Sequence, residues 1–250
     1  MKNFVRFFLL LIVMVAVYAC DPLNHQDEYP QALPVAGLVV HIPFNGDAFE
    51  RISNTTGSIV KATFVPNRKN QPGSAVHFNR SDSAFIDFGD LEQASFVNGV
   101  FSISCWVFAE DTVLPGAILS KRGAGGDFEY SLDNHFWSKA YYTFDNWVAN
   151  GSTTVYGIDP LQAKSPVKPG EWQHLVYVAD GSRLRVFTNG VVQAGIDLKQ
   201  AGQFSNTPMP FVVGNGGGFQ KYYYFQGAID DIRIYNRVLT HKEVQALYMG

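Results

Sequence analysis

The sequence predicts an antiparallel all-β sandwich or barrel closed by one short helix, and three observations carry that reading. Runs over 38–42, 75–78, 84–88, 101–108, 175–178, 184–188, 211–213 and 228–235 are short and rich in β-branched and aromatic residues. Between them lie Asn45-Gly46, Asn98-Gly99, Asp180-Gly181, Asn189-Gly190 and Asn215-Gly216, dipeptides that supply the positive φ values of tight turns. No helical period intervenes, which argues against a parallel sheet with crossover helices.

The 101–108 run alternates cleanly. Phe101, Ile103, Cys105 and Val107 fall on one face, with Ser102, Ser104 and Trp106 on the other, so Cys105 reads as a small buried apolar residue. At the end of the chain, Thr240 followed by Glu243 forms a capping box, and Leu239 can staple onto Val244. A helix over 241–248 follows, docked through Ala246 and Leu247.

A chain of 250 residues with 46% hydrophobic and 16% charged residues can bury a sizeable core, which excludes disorder, collagen and coiled coil. With 19 basic against 22 acidic side chains it offers no basic surface for a phosphate backbone, which argues against a nucleic-acid partner. Two cysteines permit at most one disulfide.

Residues 1–19 read as a secretory signal: Lys2 and Arg6 precede an apolar run over 7–17, and Ala19 is the small residue before a cut. Val17-Tyr18-Ala19-Cys20 resembles the lipobox of bacterial lipoproteins, which implies a lipid on Cys20 and a membrane anchor, with Cys105 left alone. Removing residues 1–19 leaves 17 basic against 22 acidic groups, a net charge of −5. Residues 20–36 are polar and proline-punctuated, as a tether is. Asp21 and Gln26-Asp27-Glu28 loosely resemble a signal for display on the outer face of the outer membrane. The folded domain is expected over 37–250.

Seven segments in order across that span resemble the laminin G-like modules of the concanavalin A-like lectin and glucanase superfamily. They are 37–47, 74–78, 101–107, 118–121, 172–176, 184–190 and 225–239, among them Trp172-Gln173-His174 and Ala228-Ile229-Asp230-Asp231-Ile232. The resemblance implies a two-sheet antiparallel jelly-roll sandwich with one concave sheet. It also implies a structural calcium, whose candidate ligands here are Asn45 and Asp47 in the first loop and Asp230 in the last strand. Parity with Ile232 and Ile234 would turn Asp230 toward the apolar side, where a carboxylate needs a cation or several donors. Hydrogen bonds from loop amides near Asn45 are the alternative. His174 takes the family's structural role.

No catalytic pattern stands out. Retaining hydrolysis needs two carboxylates flanking the bond, and the closest spacing, Glu129 and Asp133, has no third carboxylate in step. Aromatics are more informative: residues 128–147 hold Phe128, Tyr130, Phe136, Trp137, Tyr141, Tyr142, Phe144 and Trp147, and 219–225 hold five more. Neighbouring strand residues face opposite ways, so Tyr141-Tyr142 and Tyr222-Tyr223-Tyr224 cannot be wholly core. Such rings either seal one face and brace loops, or meet a partner. Among polar neighbours such as Asp133, Asn134, His135 and Asp145 they suit sugars, and Trp137, Tyr141, Tyr142, Trp147 and Tyr223 are the candidate ligand contacts. The sequence therefore reads as a non-catalytic cell-surface lipoprotein that binds carbohydrate. A protein-interaction subunit of an envelope assembly is the alternative, and a glycan-cleaving enzyme the third reading.

Overall fold

A computed structural model describes residues 32–122, 128–138, 141–150, 154–157, 167–197, 205–216 and 223–250. Its elements, in chain order, are β1 (Leu38–Ile42), β2 (Phe49–Glu50), β3 (Thr55–Thr56), β4 (Ser58–Val60), β5 (Thr63–Val65), β6 (Ala75–Phe78), β7 (Phe85–Asp87), β8 (Val100–Ala109) and β9 (Gly116–Arg122). They continue with β10 (Phe128–Ser138), β11 (Tyr141–Asn150), β12 (Thr154–Gly157), β13 (Trp172–Asp180), β14 (Arg183–Thr188), β15 (Val191–Asp197), β16 (Phe211–Val213), β17 (Gly227–Tyr235) and the helix α1 (His241–Met249). Among the described residues the strands form two large antiparallel sheets. One has eight strands, in the order β15-β14-β13-β8-β17-β6-β5 with β1 also on β17; the other has seven, in the order β12-β11-β10-β9-β16-β7-β4.

The main core lies between the sheets. Phe101, Ile103, Cys105 and Val107 of β8, Leu175 and Tyr177 of β13 and Ile229 of β17 meet Ile86, Leu119, Leu132, Phe211 and Val213 of the seven-stranded sheet. The predicted alternation of β8 thus holds, and Cys105 is a buried core residue whose thiol burial pushes well above its usual range. All eight predicted strands are present, several longer than their apolar runs because strand ends can be polar once paired.

The other face of the eight-stranded sheet carries a second, smaller core. Val176 and Val178 of β13, Phe187 of β14 and Tyr235 of β17 pack with Leu239, Val244 and Leu247 around α1. Both arms of the capping box are formed: the Thr240 hydroxyl accepts from the Glu243 amide at 3.3 Å, and the Glu243 carboxylate accepts from the Thr240 amide at 2.8 Å. Upstream, Leu33 also packs against this cluster, and Pro34 O accepts a bond from the Tyr235 hydroxyl. Leu33 and Pro34, ahead of Gly37, thus pack on the sandwich.

Turn chemistry fits the strands it joins. Asn189 and Gly190, between β14 and β15, have φ of 51° and 77°, the left-handed pair a tight hairpin needs. At the start of β17, Gly227 has φ of 139°, and a Cβ there would stand 2.0 Å from the Phe108 carbonyl oxygen. Gly227→Ala is expected to cost on the order of 3 kcal/mol, read as a lowered urea midpoint with an unchanged slope.

Candidate functional site

Two places in the fold gather chemistry, one on each sheet. The first is the middle of the seven-stranded sheet. In the register of β10 with β9, Leu132 pairs with Leu119 and Ser131 with Ser120, and after a bulge Asp133 pairs with Ala117. Leu132 and Leu119 belong to the core, so Ser131, Ser120, Asp133 and Ala117 occupy the opposite face. A Cβ built on Gly216 would lie 3.2 Å from Cβ of Tyr223 and 3.4 Å from Cβ of Ala117, which puts the half-buried Tyr223 at the rim of the same face. Ala117 and Gly216, both without bulk, thus separate an aspartate from a tyrosine.

Asp133 is 4% exposed. Its Oδ2 accepts from the Ser131 hydroxyl at 2.9 Å, while Oδ1 is buried without a partner among the described residues, as is Oδ1 of Asn215. Burial pushes the Asp133 carboxyl up to about 7, against smaller opposite effects from Ser131 and Arg122. A buried acceptor left open costs stability, and a donor brought by a ligand would recover it.

Glu129 has a different fate from Asp133. A bulge in β10 turns it to Lys121, which is fully buried and donates to Glu129 at 2.9 Å, Asp90 at 2.7 Å and the Ser95 hydroxyl at 2.7 Å. Glu129 also accepts from the Thr207 amide at 2.8 Å, so this cluster pins loops to the end of the sandwich. The two carboxylates that the sequence places four apart serve separate neighbourhoods.

The second place is a recess of about 190 Å³ beside β17, lined by His41, Asn45, Asn67, Arg68, Asp230, Asp231 and Arg233, among others. Its origin is a bulge. Asp231 has φ of 46°, and the pairing of β17 with β8 slips between Asp230 and Arg233. Ile229 and Ile232, three apart, both reach the main core, so the expected parity of Asp230 with Ile232 does not hold. Asp230 instead lies opposite Trp106 on the outer face. There it is bound by Arg68 at 3.0 Å, and the guanidinium sits 4.3 Å from the Trp106 ring centroid. Burial and then the charge of Asp231 push Asp230 up to about 7, with Arg68 pulling the other way. Asp231 is held by His41 at 3.2 Å and by Arg233 at 2.9 Å.

Of the three candidate calcium ligands, Asn45 and Asp230 line this recess, whereas Asp47 turns away to form two bonds with Arg51 at 2.8 and 2.9 Å. Among the described residues no group of three His, Cys, Asp or Glu side chains could hold a metal. The donor set as arranged does not fit calcium, because a guanidinium already occupies the Asp230 carboxylate. His174 lies in the same outer-face stack, accepting or sharing a proton with the Ser104 hydroxyl at 2.9 Å and 5.0 Å from the Trp106 ring. Burial drives it down to about 3, so it is neutral at pH 7, which suits a structural role better than that of a base.

Among the other candidate residues, Trp137 belongs to β10 and Tyr141, Tyr142 and Trp147 to β11. The backbone pairs Ser138 with Tyr141, Phe136 with Tyr142, Ser131 with Trp147 and Asp133 with Asp145. The side chains of Trp137, Tyr141, Tyr142 and Trp147 lie outside the described part, as does Cys20 entirely. Sequence reasoning missed Arg68, whose partner Asp230 is 162 residues away, and the pairing of Asp231 with His41, and it weighed Asp133 only as a polar neighbour and as one of a carboxylate pair with Glu129.

This arrangement of two sheets and a terminal helix has known counterparts. The Laminin_G_3 family model, described as the concanavalin A-like lectin/glucanases superfamily, matches residues 81–245. The chain belongs to this family. A search of curated proteins finds no match. Among solved structures, the chain is similar to domain 4 of AbnA, a GH43 extracellular arabinanase from Geobacillus stearothermophilus, in complex with arabinotriose. The identity is 22%, the TM-score is 0.66, and the match covers 86% of this chain and 100% of that one. The binding domain of Paraclostridial Mosquitocidal Protein 1 is 14% identical at TM-score 0.65, with coverage of 85% and 52%. A Trypanosoma rangeli sialidase mutant displaying trans-sialidase activity is 16% identical at TM-score 0.58, with coverage of 87% and 33%. The chain thus spans about half or a third of the latter two, and at these identities the likeness concerns the fold.

Because the raised Asp133 carboxyl binds its proton more tightly folded than unfolded, its effect on stability has a definite sign. Between about pH 4 and pH 7 the unfolded state ionises first, so this residue's contribution falls as pH rises through that window. Asp133→Asn keeps an acceptor for Ser131 and removes the charge. The variant is expected to gain on wild type as pH rises from 4 to 8, by an amount of order 1–4 kcal/mol. The difference between the two urea-unfolding curves checks this, since His174 and Asp230 are common to both.

Proposed function

We propose that the protein is a non-catalytic, lipid-anchored module of the outer membrane surface that binds carbohydrate on the seven-stranded sheet around Asp133. The observation that carries this reading is the buried, unpartnered Oδ1 of Asp133, set across the small residues Ala117 and Gly216 from Tyr223. A sugar ring has a C–H face for the aromatic and hydroxyls for the carboxylate. The open Asp133 Oδ1, on a carboxyl raised to about 7, can accept from a hydroxyl when ionised and donate to one when protonated, which suits a neutral, hydroxyl-rich glycan, whose hydroxyls do both. The AbnA domain matched over its full length, crystallised with arabinotriose, supports a carbohydrate partner at a coarse level. The aromatic strands β10 and β11 form the neighbouring part of the same sheet, and Trp147 pairs along the backbone with Ser131.

A titration of the protein against neutral and acidic oligosaccharides, followed by calorimetry, tests the proposal. Wild type should bind a neutral glycan, and Tyr223→Ala and Trp147→Ala should each weaken it about fivefold while the fold persists, a stacking contribution of about 1 kcal/mol. No binding by any glycan would overturn the reading and move the search to protein partners.

Hydrolysis is the second reading, favoured by the backbone pairing of Asp133 with Asp145, since retaining cleavage uses carboxylates about 5 Å apart. Release of reducing ends from the same panel, lost in Asp133→Asn, would establish it. Cys20→Ser should move the protein from the membrane fraction to the soluble fraction; persistence in the membrane would remove the lipid anchor from the proposal.

A further inference from the structure

The recess beside β17 contains a cation supplied by the chain itself. The Asp230 side chain is 3% exposed and its Oδ2 accepts from Arg68 Nη1 at 3.0 Å. A carboxylate so desolvated needs a compensating positive charge. The Arg68 guanidinium supplies it while its Cζ lies over the Trp106 ring, 4.3 Å from the centroid, a contact that a strongly hydrated divalent ion would not make. The neighbouring carboxylates are matched one by one: Asp231 with His41 and Arg233, and Asp47 with Arg51. The recess is lined by Arg68, Lys69 and Arg233 against Asp230 and Asp231, so no surplus negative charge is left for a divalent ion, which would also require about six to eight oxygen ligands.

We propose that Arg68 is a built-in counter-cation, its guanidinium standing where the family resemblance implies a calcium ion, so that this domain's fold is independent of divalent metal. This role of Arg68 belongs to the scaffold and holds whether or not the seven-stranded sheet binds carbohydrate. Arg68 joins the loop after β5 to the bulge of β17 across 162 residues of sequence, the kind of long-range closure that a structural metal provides elsewhere.

Thermal melting of the purified protein tests it. Wild type should melt at the same temperature in millimolar calcium and in EDTA. Arg68→Met should lower the melting temperature by about 5 °C or more, because it leaves Asp230 buried without its cation. The double variant Arg68→Met with Asp230→Asn should recover most of that loss, since the charge that needed compensation has gone. A wild-type melt raised by calcium would overturn the proposal, as would an Arg68→Met melt equal to wild type. A double variant no more stable than Arg68→Met would also overturn it, by showing that Arg68 acts through packing on Trp106 and not as a counter-ion. Should Arg68→Met fail to fold, Arg68→Lys, which keeps the charge, should fold and stay insensitive to calcium; its failure to fold overturns the proposal.

Discussion

The bulge at Asp230–Asp231 in β17 is the constraint on which the rest of the structure depends. One edge of β17 pairs with β8, while its other edge serves two strands in succession, β6 at Gly227–Ile229 and β1 at Ile232–Tyr235. Two strands placed end to end along a third need not share one register, and an extra residue between them takes up the mismatch. Asp231 provides it by adopting a left-handed conformation, which a residue with a short polar side chain tolerates better than most. Its carboxylate is then fixed by His41 of β1 and by Arg233, so the strained residue is anchored by the strand it allows to dock. Ile229 and Ile232 both reach the core as a result, and neither side of the bulge loses its apolar packing.

The same bulge organises the outer face of the eight-stranded sheet. With Asp230 turned outward, Arg68 is drawn over Trp106, and Trp106 stacks at 5.7 Å with Tyr248 near the end of α1. His174 completes the stack from β13, kept neutral by burial. A polar stack over the bulge and an apolar cluster of Val176, Val178, Phe187, Tyr235, Val244 and Leu247 therefore adjoin on one face. The helix covers strands that would otherwise expose their apolar positions, and its capping box fixes where it begins.

Local physics made much of this legible in advance. The α1 start was readable because Thr240, Glu243, Leu239 and Val244 act within one turn. The strand β8 was readable because one face meets a core and the other bears Ser102 and Ser104. β9 to β12 and β15 escaped, since Gly116–Arg122 is buried nearly throughout and shows no alternation, and β10 mixes charged with aromatic residues. The sequence draws attention to Asp230 but misreads its direction, because period-2 reasoning carries no term for an extra residue. Arg68 was invisible for a different reason: nothing in Asn67-Arg68-Lys69 announces a partner in the last strand.

The two outer faces thus divide the work. On the eight-stranded sheet, the charged groups Asp230, Asp231, Arg68 and Arg233 are each matched by an oppositely charged partner or by His41, and the apolar groups are covered by α1. On the seven-stranded sheet, Ser120 and Ser131 find acceptors, yet Asp133 keeps an open oxygen and a carboxyl lifted to about 7. A scaffold position would gain from an apolar residue or an amide there, because an unsatisfied buried acceptor is a standing cost. Conflict between local stability and the residue present is where a fold most often accommodates a ligand. Open polar atoms occur on both faces among the described residues, Trp106 Nε1 and His174 Nδ1 on one and Asp133 Oδ1 on the other, so our proposal for the seven-stranded sheet rests on the open oxygen belonging to a carboxylate there, more than on the count of aromatic rings.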